Sequence, residues 1–269
     1  PIGASIKDGF DAGHGLPFDA DGIKARYPGV FFSQFSGAEL VAEKWKLSRE
    51  MLDEFALSSH QKAANATENK YFDKEIVPVQ GKNSENNDSM VLQDEGIRFD
   101  ASFEALSGLN PVTEGGVITA GNASQITDGA AAVLVCNDAG LKKIKCDPLV
   151  KVKGISVVGD DPILMLTGPI PATKKVLSES KLNIDEIGLY EVNEAFAPVP
   201  LAWEIEVKAD RSKLNVNGGA MALGHPLGAS GAKLMTTLIY EMHRRNEKYG
   251  LQAICEGGGT ANATILEKI

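Results

Sequence analysis

From Pro148 to its end the chain alternates between β-branched runs and segments of helical period, and this alternation restricts the fold more than any other property of the sequence. Leu149 to Val158 reads as a strand, Pro171 to Ser180 as a helix and Ile187 to Val192 as a strand, followed by a helix beginning near Glu194. A glycine-rich connection then leads into a long helix over Ala229 to Arg244, where Met235, Leu238, Ile239 and Met242 form one apolar stripe. Leu251 to Cys255, a glycine turn and Ala261 to Leu266 complete the pattern. Strands and helices in turn pack as layers, so the expected class is α/β, with helices covering a mixed sheet.

The upstream part is less regular. Pro1 to Pro28 reads as an irregular stretch. Ser36 is placed as the cap of a helix presenting Ala38, Val41, Ala42 and Trp45, and Ser48 opens another that presents Met51, Leu52 and Phe55; Trp45 and Phe55 are read as core. Residues Gly81 to Ser89 are polar and without period, an excursion, and Asp94 to Arg98 a charged loop. The β-branched run Val117 to Thr119 enters small residues that persist to Ala132 and end in Val133-Leu134-Val135-Cys136, read as a buried strand with Cys136 in the core. Composition changes at Cys146 to Pro148, where a domain boundary is placed.

A formal charge of −9 disfavours a nucleic-acid surface, which phosphate backbones make basic, though a local basic pocket could still hold a small phosphorylated ligand. No apolar run approaches the roughly 20 residues of a membrane span and no basic–apolar leader opens the chain, so a cytoplasmic location is expected. The three cysteines, Cys136, Cys146 and Cys255, form no close pair, which points to neither a disulfide framework nor a metal cluster.

Three places carry chemistry. In Glu191-Val192-Asn193-Glu194-Ala195-Phe196-Ala197 a strand ends in polar side chains, where open α/β sheets put their ligands. Asn193 can hold a water or a carbonyl there, or equally cap the next helix. In Gly224-His225-Pro226-Leu227-Gly228-Ala229-Ser230-Gly231 a bare loop brings His225 to a helix start, whose dipole favours a neutral imidazole fit to act as a base. His14, His60 and His243 read as solvated or structural. In Cys255-Glu256-Gly257-Gly258-Gly259 a thiol with a reference pKa of about 8.5 precedes glycines whose N–H groups could converge on an oxyanion. A buried cysteine before a turn is the plain alternative.

These three blocks, in this order, resemble the C-terminal half of the thiolase family. The resemblance continues upstream through Thr119 to Ser124, Asp128 to Ala132 and Gly168-Pro169-Ile170-Pro171-Ala172, and so covers nearly the whole chain. It implies the thiolase-like layered α/β fold, lacking most of the N-terminal half. The implied division is an irregular, α-rich loop domain over 1–126, the last strand region of the N-terminal domain over 127–147 and the C-terminal domain over 148–269. It also implies acyl transfer between acyl-CoA and acetyl-CoA through an acyl-cysteine intermediate. His225 would activate the nucleophile and, with a water held by Asn193, form one oxyanion site. Cys255 would exchange the proton of the acetyl-CoA carbanion, and the Gly257 N–H would serve a second oxyanion site. Ser124 would meet the pantetheine arm, Arg98 the nucleotide end of coenzyme A, and Ala195 and Phe196 also fall in the coenzyme A-binding set. Coenzyme A and acetyl-CoA enter as substrates, with no covalently bound cofactor, and a homodimer or homotetramer of the full-length protein is implied.

Two positions depart from the family pattern: Ala261 stands where a glycine is usual, and Glu256 puts a charge beside the thiol. The nucleophilic cysteine is expected in a segment preceding Pro1, because neither Cys136 nor Cys146 lies in a matching motif; without that segment the chain is expected to be inactive. Two other readings stand beside this one: a thiolase-like protein that binds acyl-CoA or lipid without catalysis, and a decarboxylating condensing enzyme of the ketoacyl synthase type, against which the cysteine before the glycine triplet speaks.

Overall fold

The computed structural model describes residues 2–82 and 85–269. Its first part holds α1 (Ile2–Asp11), α2 (Asp21–Arg26), α3 (Gln34–Lys44) and α4 (Arg49–Glu68), then a hairpin of β1 (Val79–Lys82) and β2 (Asp88–Val91), then α5 (Phe103–Ser107) and α6 (Asp138–Ile144). The second part runs β3 (Val150–Gly159), α7 (Pro169–Ser180), β4 (Leu189–Val192), α8 (Pro198–Val207), α9 (Ala220–Leu223), α10 (Ser230–Arg245), β5 (Tyr249–Cys255) and β6 (Thr260–Lys268). No helix among the described residues is long and apolar enough to cross a membrane.

The alternation after Pro148 gives a four-stranded sheet in the order β3–β6–β5–β4, antiparallel except for the parallel pair β4 and β5. Successive strand residues face opposite ways, so Tyr190 and Val192 join the core under α7 and α8, while Leu189 meets the α10 stripe of Leu238, Ile239 and Met242. Each fully buried leucine or methionine there contributes about 1.5–3 kcal/mol. Gly250 lets α10 approach the sheet: a Cβ at this position would lie 2.5 Å from the Met242 sulfur. On β3 only one face is covered. Ser156 is buried and donates to the Ala172 carbonyl at 2.7 Å, whereas Ile155 and Val157 on the opposite face are 59% and 62% exposed.

Several expectations upstream need correction. The stretch up to Pro28, apart from Pro1, which lies outside the described residues, contains α1 and α2, since the helical spacing of Ile2, Ile6 and Phe10 outweighs its glycines. Ser33 rather than Ser36 precedes α3, and Ser36 lies inside the first turn. Ser48 caps α4 as expected, its hydroxyl accepting from Met51 N–H at 3.2 Å; Leu52 and Phe55 are buried, but Met51 points outward. Trp45 is half-buried and donates its Nε1–H to Glu206. The excursion at Gly81 to Ser89 belongs largely to the β1–β2 hairpin, whose ladder satisfies the backbone although the side chains are polar; residues 83 and 84 lie outside the described part. The run Val117 to Thr119 is held by Glu39, whose carboxylate accepts the N–H groups of Val117 and Ile118. The strand expected over Val133 to Cys136 is absent. Leu134 and Val135 are each 73% exposed and Cys136 is exposed, because among the described residues no strand lies alongside to complete a ladder.

Candidate active site at the carboxyl end of the sheet

Expected to start near Glu194, α8 begins instead at Pro198, a proline in the first helical turn where its missing N–H is no loss. Residues 193–197 are thereby left as a connection, and a buried carboxylate holds it. Glu194 accepts from Ser59 Oγ at 2.7 Å, Asn215 Nδ2 at 2.8 Å and the Met221 N–H at 3.2 Å. Ser59 in turn accepts the Gly219 N–H, and Asn215 bonds both the N–H and C=O of Val192. Burial pushes the Glu194 carboxyl upward, opposed by these donors. One side chain thus ties the end of β4 to α4 and to the glycine loop, and a Cβ at Gly219 would overlap its carboxyl group. Sequence reasoning did not single out Glu194 or Ser59, which lie 135 positions apart.

Asn193 follows β4 and is 1% exposed. Its Nδ2 lies 3.4 Å from His225 Nε2 and 4.0 Å from Cys255 Sγ, so one amide nitrogen joins the three candidate groups. It does not cap α8. His225 Nδ1 lies 2.5 Å from Ser230 Oγ, and the Ser230 hydroxyl donates to the Pro226 carbonyl. With its own proton so committed, Ser230 Oγ must accept, which places the imidazole proton on Nδ1 and leaves the Nε2 lone pair facing Asn193. Burial holds the His225 pKa below the usual 6.5. This burial disfavours the imidazolium, the same direction as the neutral ring expected from the sequence. Ser230, the first residue of α10, is the orienting group that the sequence reading missed; a hydroxyl five places after the histidine was the only available signal.

Burial drives the Cys255 thiol up to about 11, with the Asn193 amide opposing and the Glu256 carboxylate adding to the rise. A thiol raised in this way stays protonated at pH 7. Glu256 points aside, accepting from Asn262 Nδ2 at 2.6 Å and Thr260 Oγ1 at 3.3 Å. Gly257 opens the exposed turn after β5, and the positive φ of Gly258 and Gly259 (74° and 82°) shapes it. The unusual Ala261 is accommodated by Gly168: a Cβ on that glycine would come within 2.6 Å of the Ala261 methyl.

Ser124, Ala195 and Phe196 come together. The Ser124 N–H donates to the Ala195 carbonyl at 2.9 Å, Ala123 bridges Phe196, and Gln125 receives the His225 N–H on its carbonyl. The Gln125 amide also donates to Gly96 and Met221 carbonyls, anchoring the charged loop. Arg98 follows on that loop, its N–H donating to His60 Nδ1 at 3.1 Å, so His60 is structural rather than solvated. The exposed Arg98 side chain makes no ion pair among the described residues and borders a cleft of about 410 Å³ shared with Ser102, Gly121, Gln125 and Met221. Asn193, His225 and Cys255 are not among the residues lining this cleft. No cluster of metal-ligating side chains occurs among the described residues.

Sheet, connection and glycine loop together define a layered α/β fold with polar groups gathered at one end of the sheet, and comparison with known proteins places it. The model of the thiolase N-terminal domain matches residues 23–139, and that of the thiolase C-terminal domain residues 146–268. The chain belongs to the thiolase family. It is 50% identical over 244 residues to the steroid 3-ketoacyl-CoA thiolase FadA6 of Mycobacterium tuberculosis, covering 91% of this chain and 58% of that protein. It is 42% identical over 266 residues to a probable acetyl-CoA acyltransferase of Staphylococcus aureus, covering 97% of this chain and 66% of that one. In structure it matches the Bacillus anthracis acetyl-CoA acetyltransferase with a TM-score of 0.85 at 39% identity, covering 90% of this chain and 61% of that one. It also matches human mitochondrial 3-ketoacyl-CoA thiolase in complex with CoA with a TM-score of 0.83 at 41% identity, covering 87% of this chain and 58% of that one.

Proposed function

We propose that the chain is the loop and C-terminal portion of a catalytic thiolase, transferring acyl groups between coenzyme A thioesters by thiolysis of 3-ketoacyl-CoA or by the reverse Claisen condensation. The observation that carries this reading is the single Asn193 amide shared by a Nδ1-protonated His225 and a neutral Cys255. In this reading the nucleophilic cysteine lies in a segment preceding Pro1, because neither Cys136 nor Cys146 lies in a motif matching the family's. His225 Nε2 takes the nucleophile's proton, and the thiolate adds to the 3-keto carbon. The oxyanion is met by His225 and by a water on Asn193. Cleavage of the carbon–carbon bond leaves an acetyl-CoA carbanion, to which the Cys255 thiol gives its proton, while the Gly257 N–H supports the enolate oxygen. Coenzyme A then takes the acyl group from the enzyme. Condensation runs these steps backwards.

The cleft beside Arg98 suits the phosphate-rich end of coenzyme A, with Ser124, Ala195 and Phe196 along the arm that leads to the thiols. A homodimer or homotetramer belongs to the same reading. The test is to incubate the full-length protein with short-chain, long-chain and sterol-derived 3-ketoacyl-CoA esters and to search by mass spectrometry for an acyl group on cysteine. Binding of the esters without acyl-enzyme and without proton exchange at the acetyl methyl would make it a non-catalytic acyl-CoA-binding protein instead.

A further inference from the structure

Asn193 is held on one side only. Its Nδ2 faces His225 and Cys255, but its buried Oδ1 has no hydrogen-bond partner among the described residues. Glu191, two positions earlier, is 2% exposed, and its Oε2 is also without a partner. Strand residues i and i+2 project from the same face, and both side chains line one small cavity of about 10 Å³ completed by Ser230, Lys233 and Thr237. That is about the space of one water.

Two buried acceptor oxygens without partners, on residues lining one cavity, call for hydrogens to satisfy them. No cation supplies them: Lys233 is taken up by Asp94 and the Leu223 carbonyl, and Lys62 donates to the Leu214 carbonyl. Besides burial, the carboxylates of Glu194, Glu75 and Glu241 push the Glu191 carboxyl well above the usual range, with only Lys62 opposing. Three donors converge on Glu194, so of the two glutamates flanking Asn193 it is Glu194 that is built to carry charge.

We infer that Glu191 is a neutral, proton-donating positioning residue that, through one water in this cavity, holds the Asn193 amide with its Nδ2 toward His225 and Cys255. An amide without such a hold turns over, and Oδ1 would then set its lone pairs against that of His225 Nε2. The inference deepens the proposed thiolase reading and rests on it.

The test uses the full-length protein and reads proton exchange into the methyl group of acetyl-CoA. Glu191→Gln, which keeps a neutral donor, is expected to stay within about twofold of the parent, while Glu191→Leu lowers kcat about tenfold with KM unchanged. In an Asn193→Ala background Glu191→Leu adds nothing further, because its effect runs through that amide. Infrared spectra of the same protein should show a buried carboxylic-acid carbonyl band at neutral pH that Glu191→Gln removes. A loss with Glu191→Gln as large as with Glu191→Leu, an undiminished Glu191→Leu effect in the Asn193→Ala background, or no acid band lost would each overturn the inference. A parent protein with no exchange and no acyl-enzyme would instead overturn the proposed function, whatever the infrared band shows.

Discussion

At the scale of single residues, the proposed reaction depends on protons committed in advance. Ser230 spends its own hydrogen on Pro226 and can only accept from His225, so the imidazole carries its proton on Nδ1 and turns its Nε2 lone pair toward Asn193. Ser230→Ala removes that constraint and should lower the acylation rate about tenfold while leaving KM for the acyl-CoA unchanged, as stopped-flow acylation would show. Because the folded pKa of His225 lies below 6.5, the base is neutral above that value. The acylation rate should therefore be flat from pH 7 upward and fall only on the acid side of 6.5. Cys255→Ala should still permit acylation by a simple thioester but abolish exchange at the acetyl methyl; unchanged exchange removes Cys255 from its role. Asn193, His225 and Cys255 were legible in the sequence because each sits in a dense local motif. Glu194, Ser59 and Ser230 were not, since their importance lies in contacts with partners that only folding brings near.

Among elements, the glycine loop and α10 are set by what the sheet beneath them leaves free. Gly219 gives its Cβ space to the Glu194 carboxyl, so Gly219→Ala should break the bonds to Ser59 and Asn215 and destabilise by about 3 kcal/mol or more, read by chemical denaturation. Burial raises the pKa of Glu75, after α4, from 4.5 to about 8. The folded state then holds a proton that the unfolded chain has released. Stability is fully present below pH 4.5 and declines through the window up to about 8, by up to a few kcal/mol. Melting curves against pH should show this decline, and Glu75→Gln should flatten it. Strands and helices after Pro148 were readable to within a few residues, because their apolar period marks the buried face of each element whichever neighbour covers it. The segment at Val133 to Cys136 reads as a strand by composition and forms none, since a strand is a property of its neighbours as much as of itself.

For the molecule as a whole, the uncovered faces are informative. Ile155 and Val157 on β3, with Leu134 and Val135 on the irregular segment, present apolar surface to solvent. Surface of this kind favours association, so the 269-residue chain produced alone should form higher-order species in light scattering coupled to gel filtration. Ile155→Lys with Val157→Lys should shift it toward monomer; a monodisperse parent chain would count against this. The division into 1–126, 127–147 and 148–269 remains the proposal that limited proteolysis can judge.

Gly168 and Ala261 have a consequence for how such a chain can change over time. The methyl of Ala261 occupies the space that a side chain at 168 would need, so the two positions share a fixed volume. Neither can enlarge alone, and a lineage that restores glycine at 261 acquires freedom at 168 that this chain lacks. Substitutions at the first residues of β6 and at the start of α7 are thus expected to arrive as pairs.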